Sequence, residues 1–179
     1  MLNRAVFMDR DGVINRAVVT DGKSYPPATL EAFEILPGVA ATIDAFRAAG
    51  LKTIVATNQP DVTAGKQTLE VVEAMHARLL NELAIDDIKV CYCFEGSGCD
   101  CYKPKPGMLV EAADEWQIDL AESFLVGDRW RDIGAGKAVG CETYFVDYGY
   151  QEKRPVNPDY TVASLYDAGQ IILEKVRTP

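Results

Sequence analysis

Short apolar runs separated by longer amphipathic stretches constrain this chain more than any other feature. Ala5-Val6-Phe7-Met8, Leu51 to Ala56, Ile88 to Phe94, Ser123 to Val126 and Thr143 to Val146 each read as a buried strand. Between them, Pro37-Gly38 opens a helix with Val39, Ile43 and Phe46 on one face, closed by Gly50. Leu69 to Leu83 carries Val72, Met75, Leu79 and Leu83 at helical spacing, and Gly107 to Trp116 reads as another helix. Gly140 stops the helical stretch before the last of the five runs, Pro155-Val156-Asn157-Pro158 is a loop, and Tyr160-Thr161-Val162 with a final helix closes the chain. Strands that alternate with helices give a parallel sheet covered on both faces. The expected fold is α/β, a three-layer sandwich with a parallel central sheet, in a single domain spanning 1–179 with no repeat or interdomain linker.

Bulk properties narrow the function. The net charge of −9 argues against nucleic acid as a partner, because phosphate backbones are held by cationic surfaces. No apolar stretch reaches the roughly 18 residues of a membrane span. Met1-Leu2-Asn3-Arg4 leads straight into a strand and lacks a signal peptide's apolar core, so a cytoplasmic monomer is expected. A small anionic metabolite remains compatible, provided that a metal or local cations recruit it.

In open parallel sheets, ligands bind outside the carboxyl ends of the strands. Polar residues gather there: Asp9 and Asp11 after the first strand, Thr57-Asn58-Gln59 after the second, Gly127-Asp128 and then Asp132 after the fourth, with Lys103 past the third. One carboxylate at such a place serves equally well as a helix cap. Acids converging from separate strands need a cation, and an oxygen-rich set suits Mg²⁺.

The order Asp9-x-Asp11-Gly12, Thr57-Asn58, Lys103 and Gly127-Asp128-x-x-x-Asp132 resembles the four motifs of the haloacid dehalogenase superfamily of phosphatases, over nearly the whole chain. Asp9-Arg10-Asp11-Gly12-Val13-Ile14-Asn15, Leu36-Pro37-Gly38-Val39, Thr57-Asn58-Gln59 and Lys103-Pro104-Lys105-Pro106-Gly107-Met108 resemble its heptose bisphosphate phosphatase and histidinol phosphatase branch. The resemblance implies a Rossmann-like fold without a large cap domain, whose open site is closed only by loops such as 17–27, 60–67 and 91–101. It implies that Asp9 attacks phosphorus to form an aspartyl-phosphate and that Asp11 is the general acid and base. Thr57 and Lys103 then stabilise the phosphoryl oxygens, with Asn58, Gln59, Tyr102 and Arg129 near the substrate. Mg²⁺ falls to Asp9, Asp128 and the backbone carbonyl of Asp11, while Asp132 orients that shell or holds Lys103.

Four of the five cysteines crowd into one segment: Cys91, Cys93, Cys99 and Cys101. In a cytosolic chain that clustering reads as a closed, structural Zn²⁺ site rather than a disulfide framework. Heptose bisphosphate phosphatases show Cys-x-His and then Cys-x-Cys before the lysine motif, so Cys93 stands at the histidine position. The expectation is a zinc-bound loop over 91–101 that presents Lys103, its thiolate charge eased by Lys103 and Lys105.

Two departures bear on substrate. Tyr102 stands where the branch has arginine before Lys-Pro, and Ala64 falls where its loop supplies another; Lys66, Lys105 and Arg129 are the sequence's substitutes. Arg and Tyr are not interchangeable in binding a second phosphate. The leading function is therefore a Mg²⁺-dependent phosphomonoester hydrolase, with D-glycero-D-manno-heptose 1,7-bisphosphate 7-phosphatase first and histidinol phosphate or another small sugar phosphate as alternative substrates. A different class is a catalytically silent, zinc-stabilised binding module. The segment Ala17 to Lys23 corresponds to a substrate-facing loop, and Asp61 would suit an ammonium group. His76, the only histidine, is expected as a surface or partly buried helical residue far from the motifs. Cys141, Trp116 and Trp130 are expected to pack, Trp130 with access to the crevice, and Tyr148-Gly149-Tyr150 has no assigned role.

Overall fold

A computed structural model describes residues 2–177. In chain order the elements are β1 (Ala5–Met8), β2 (Val18–Thr20), β3 (Lys23–Tyr25), α1 (Val39–Ala48), β4 (Lys52–Asn58), α2 (Pro60–Thr63), α3 (Leu69–Glu82), β5 (Asp87–Cys91), α4 (Gly107–Trp116), β6 (Phe124–Gly127), α5 (Trp130–Ala138), β7 (Glu142–Val146), β8 (Tyr160–Val162) and α6 (Leu165–Arg177). A six-stranded sheet runs β5-β4-β1-β6-β7-β8, with every pairing parallel. Helices separate the sheet strands in sequence except between β7 and β8, whose parallel pairing is bridged by the helix-free connection 147–159, long enough for the crossover that parallel neighbours need.

Period-two alternation divides β1 between two cores. Val6 and Met8 join the larger cluster with Val39, Ile43 and Phe46 of α1, Met75 and Leu79 of α3, and Leu165 and Ile172 of α6. Ala5 and Phe7 point the other way, into a cluster with Met108, Leu109 and Ala112 of α4 and with Cys141. All four residues of β1 are fully buried, as a strand covered on both faces requires. Thr68 caps α3 by accepting from Val71 N–H at 3.3 Å, a contact typical of about 1 kcal/mol.

Three local features differ from the sequence reading. The third strand of the sheet ends at Cys91 rather than Phe94, because Phe94 is exposed and followed by a turn with positive φ at Gly96 and Gly98. The segment after β1 forms an antiparallel hairpin, with Asp21 and Gly22 at φ 50° and 71° in its turn. A short helix, α2, with Pro60 in its first turn, stands in the 60–67 loop. Among the described residues no helix is long and apolar enough to cross a membrane.

Candidate active site

The strand order sets β1 between β4 and β6, so the three motif-bearing strand ends lie side by side. Asp9 follows β1, Thr57 and Asn58 end β4, and Asp128 follows β6. Lys103 reaches in from the loop before α4. It is held there by a reciprocal pair: its N–H donates to Asn58 Oδ1 at 3.1 Å, while Asn58 Nδ2 donates to the Lys103 carbonyl at 3.2 Å. The Lys103 ammonium then donates to Asp9 Oδ1 at 2.9 Å, Asp132 Oδ1 at 2.6 Å and the Ala56 carbonyl at 2.6 Å.

Asp9, Asp128 and Asp132 each offer a carboxylate oxygen within 4.8 Å of the others. Both oxygens of Asp128 are buried without a hydrogen-bond partner. Buried carboxylates normally find donors, and a pair of orphaned oxygens facing another carboxylate fits a cation. Gly12, at φ +89°, makes the approach possible, since a Cβ there would collide with Asp128 Oδ2. The donor set is all oxygen, which fits Mg²⁺. Burial, then the charge of Asp9, raises the pKa of Asp128 well above its usual value. Asp9 is pushed up to about 6, by burial first, against the opposing pull of Lys103.

Asp11 is gripped from three directions. Arg10 donates from Nε and Nη2 at 3.0–3.3 Å, Asn15 Nδ2 at 2.9 Å and Gln59 Nε2 at 2.9 Å. Gln59 also donates to Thr57 Oγ1 at 2.9 Å, which leaves the buried Thr57 hydroxyl its own proton to give.

A cavity of about 210 Å³ opens above these groups, lined by Asp9, Asp11, Lys103 and Asp132 on its floor. Of the expected recognition residues, Asn58, Tyr102 and Arg129 line it; Gln59 and Thr57 lie beneath. The hairpin contributes Lys23 to Tyr25, and α2 contributes Pro60 and Asp61. The 91–101 loop does not line the cavity. It touches a lining residue instead: Arg131 Nη2 donates to Glu95 Oε2 at 2.6 Å.

Of the three expected substitutes for the absent arginine, Arg129 lines the cavity and the two lysines do not. Lys66 does not line the cavity, and Lys105 turns to Asp100 and the Gly98 carbonyl. Arg131 lines the cavity as well, its guanidinium 5.8 Å from the Tyr102 ring and 4.7 Å from the Trp130 ring. Lys23, the last residue of the segment expected to face substrate, is another cation lining the cavity. Arg129 is held by Glu152 at 2.6 Å and 2.9 Å, and the other Glu152 oxygen accepts from Ser24 N–H at 3.3 Å, fastening the hairpin to the site. Trp130 carries Lys153 at 3.9 Å and Trp116 donates to Asp87 at 3.0 Å, both as packing groups. Cys141 is buried beneath β7. Tyr150 stands by Asp128, its phenol held neutral by burial and by that charge.

His76 corrects the sequence reading. It is buried and bonded to motif residue Arg10, whose Nη1 lies 3.1 Å from His76 Nε2. Val72, Met75, His76 and Leu79 share the inward face of α3, and that periodicity was the available signal. The cysteine segment is compact: Cys91, Cys93, Cys99 and Cys101 keep their sulfurs within 4.8 Å of one another, with Cys91 and Cys101 joined as a disulfide and Cys93 and Cys99 free. Lys103 is committed to Asp9 and Asp132, so of the two lysines only Lys105 reaches the loop.

A model of the haloacid dehalogenase-like hydrolases matches residues 23–140, more than half of the chain. The chain belongs to that family. A D-glycero-beta-D-manno-heptose-1,7-bisphosphate 7-phosphatase of Pseudomonas putida is 40% identical over 155 residues, 84% of this chain and 86% of that one. A D-glycero-alpha-D-manno-heptose-1,7-bisphosphate 7-phosphatase of Campylobacter jejuni is 35% identical over 139 residues, 76% and 77% of the two chains. Among solved structures, the D,D-heptose 1.7-bisphosphate phosphatase of B. bronchiseptica, complexed with magnesium and phosphate, superposes with a TM-score of 0.77. It is 26% identical, over 96% of this chain and 99% of that one. With relatives so named and the family's four motifs assembled at one strand-end crevice, the chain is a phosphatase of this family.

Proposed function

We propose that the enzyme removes the 7-phosphate of D-glycero-D-manno-heptose 1,7-bisphosphate. The observation that carries the reading is the two-ended charge of the cavity. Asp9 and Lys103, with Asp128 close beside Asp9, form a reacting end, while Arg131, Lys23 and Arg129 also line the cavity as cations able to meet a second phosphate. A monophosphate would offer those cations no anion beyond Glu95, which holds Arg131, and Glu152, which holds Arg129.

Asp9 and Asp128 would hold Mg²⁺, which would supply positive charge to offset the repulsion between the anionic ester and the anionic nucleophile. The Asp9 carboxylate attacks phosphorus as the bond to the leaving oxygen breaks, and Asp11 gives that oxygen its proton. Asp11 then takes a proton from the water that cleaves the aspartyl-phosphate, releasing phosphate and restoring Asp9. Lys103, with its three acceptors, and the Thr57 hydroxyl hold charge on the phosphoryl oxygens. In the reduced chain, Cys91, Cys93, Cys99 and Cys101 would offer four thiolates to a structural Zn²⁺, which would hold together the loop whose Glu95 anchors Arg131.

The test is phosphate release with Mg²⁺ from both anomers of the heptose bisphosphate, histidinol phosphate and common sugar monophosphates. The bisphosphate should show the highest kcat/KM, and Asp9→Asn should abolish release while leaving folding and zinc content unchanged. Preference for histidinol phosphate would instead give Asp61 the recognising role, and activity surviving in Asp9→Asn would refute the nucleophile. Metal analysis of protein purified without chelators should find one zinc per chain; two titratable thiols in the 91–101 loop and no zinc would refute the metal.

A further inference from the structure

We propose that His76 is a positioning residue for proton transfer: it fixes the buried Arg10 guanidinium, which in turn holds the Asp11 carboxyl in its working orientation. The inference rests on the assignment of Asp11 as acid and base.

Arg10 is among the largest fully buried side chains, and its cationic head must satisfy its N–H groups inside the protein. One edge, Nε and Nη2, meets Asp11; the outer nitrogen, Nη1, meets His76 Nε2 at 3.1 Å. The Phe33 ring, 5.7 Å from the guanidinium carbon, packs against it. Guanidinium only donates, so Nε2 must be the acceptor and the ring must be neutral, with its proton on Nδ1. Burial and the Arg10 charge agree, holding the His76 pKa down to about 4. Of the donors to Asp11, Asn15 reaches one oxygen and Gln59 the other, whereas Arg10 reaches both and so fixes the carboxyl plane. Without an acceptor at position 76, the guanidinium loses one of its two anchors and the carboxyl plane is free to turn.

A turned Asp11 slows both of its proton transfers, but only the first, to the leaving oxygen, depends on the leaving group, and kcat/KM reads that step because it covers the reaction only as far as release of the alcohol. A phenolate such as p-nitrophenolate leaves unaided, whereas an alkoxide must be protonated as it departs. The test therefore compares p-nitrophenyl phosphate with an alkyl phosphomonoester, in Mg²⁺-loaded wild type, His76→Leu and His76→Gln. His76→Leu should lower kcat/KM on the alkyl ester on the order of tenfold, while kcat/KM on p-nitrophenyl phosphate stays within about twofold. His76→Gln, whose amide oxygen accepts from Nη1, should recover most of the alkyl-ester rate. Should His76→Leu fail to fold, His76→Phe keeps a ring in the same space without an acceptor and carries the same comparison. Equal losses in kcat/KM on the two esters, no loss on either, or a glutamine variant as poor as the leucine one would overturn the proposal. Asp11→Asn serves as the reference: if it shows no leaving-group dependence, the assignment of Asp11 itself falls, and the His76 role with it.

Discussion

Asp132 Oδ1 accepts a hydrogen bond from Lys103 Nζ at 2.6 Å, with each side chain only 3% exposed. Its other oxygen accepts the Arg129 N–H at 2.9 Å, so one carboxylate both steers the lysine and caps α5. Lys103 has three donors and three acceptors, and removing one changes how strongly it pulls on Asp9. The close approach is possible because a Cβ at Gly127 would collide with the Asp132 side chain.

Asp132→Asn separates these duties. An amide has one acceptor, so it serves Lys103 or the Arg129 N–H but not both, and its NH₂ faces a donor at the other. Lys103 then leans harder on Asp9, a weaker nucleophile for the tighter pairing. The expected loss in kcat is roughly 10- to 100-fold, the usual range for a group that orients catalytic residues. Stability should fall by about 1–3 kcal/mol, as for a buried donor left unsatisfied. Steady-state kinetics and thermal unfolding of the variant measure both.

Residues that act where the sheet places them were legible in the sequence. Asp9, Asp128 and Lys103 sit at strand ends or just past them, so finding the strands nearly finds the site. The contacts that shape recognition were not. Arg131 meets Tyr102 and Glu95, and Glu152 meets Arg129 and Ser24, across chain separations that no local pattern encodes. Periodicity could have shown His76 on the apolar face of α3, but its partner Arg10 lies 66 residues away. The hairpin was a different kind of miss: Asp21-Gly22 between Val18-Val19-Thr20 and Lys23-Ser24-Tyr25 is a turn signal that a loop reading passed over. Phe94 ended outside its expected strand because nothing on the 91–101 loop covers it.

Arg131 changes what a restored arginine would do. It lies within cation–π range of Tyr102 and Trp130, is tethered by Glu95, and keeps a buried Nε without a partner. Arg131→Gln should raise KM for the heptose bisphosphate about 10- to 100-fold, the worth of a charge-assisted contact. Its effect on p-nitrophenyl phosphate, which has no second phosphate, should stay within about twofold. Tyr102→Arg should give no gain, because it sets a second guanidinium against the first. A rise in bisphosphate turnover in Tyr102→Arg would show instead that Arg131 does not reach the distal phosphate. KM values for both esters in both variants decide the matter.

Mg²⁺ binding should carry a pH dependence set by Asp9 and Asp128. In the metal-free protein Asp9 has a pKa of about 6 and that of Asp128 is also well raised, in both cases chiefly through burial. Below about pH 6 the ion must therefore displace protons, and its dissociation constant should rise about tenfold per pH unit for each proton released. A carboxyl with a raised folded-state pKa stabilises the metal-free fold while protonated, and that contribution is lost as pH rises from about 3.8 through 6. Bound Mg²⁺ takes over in the same window, so the gain in Tm on adding it should grow from pH 5 to pH 7. His76 has the opposite sign, since its lowered pKa of about 4 removes stability as pH falls below 6.5, but it acts equally with and without metal and drops out of the difference. Calorimetric titration of Mg²⁺ in buffers of different ionisation enthalpy counts the protons directly. A proton count of zero at pH 5.5 would mean that Asp9 and Asp128 are already ionised before the metal arrives.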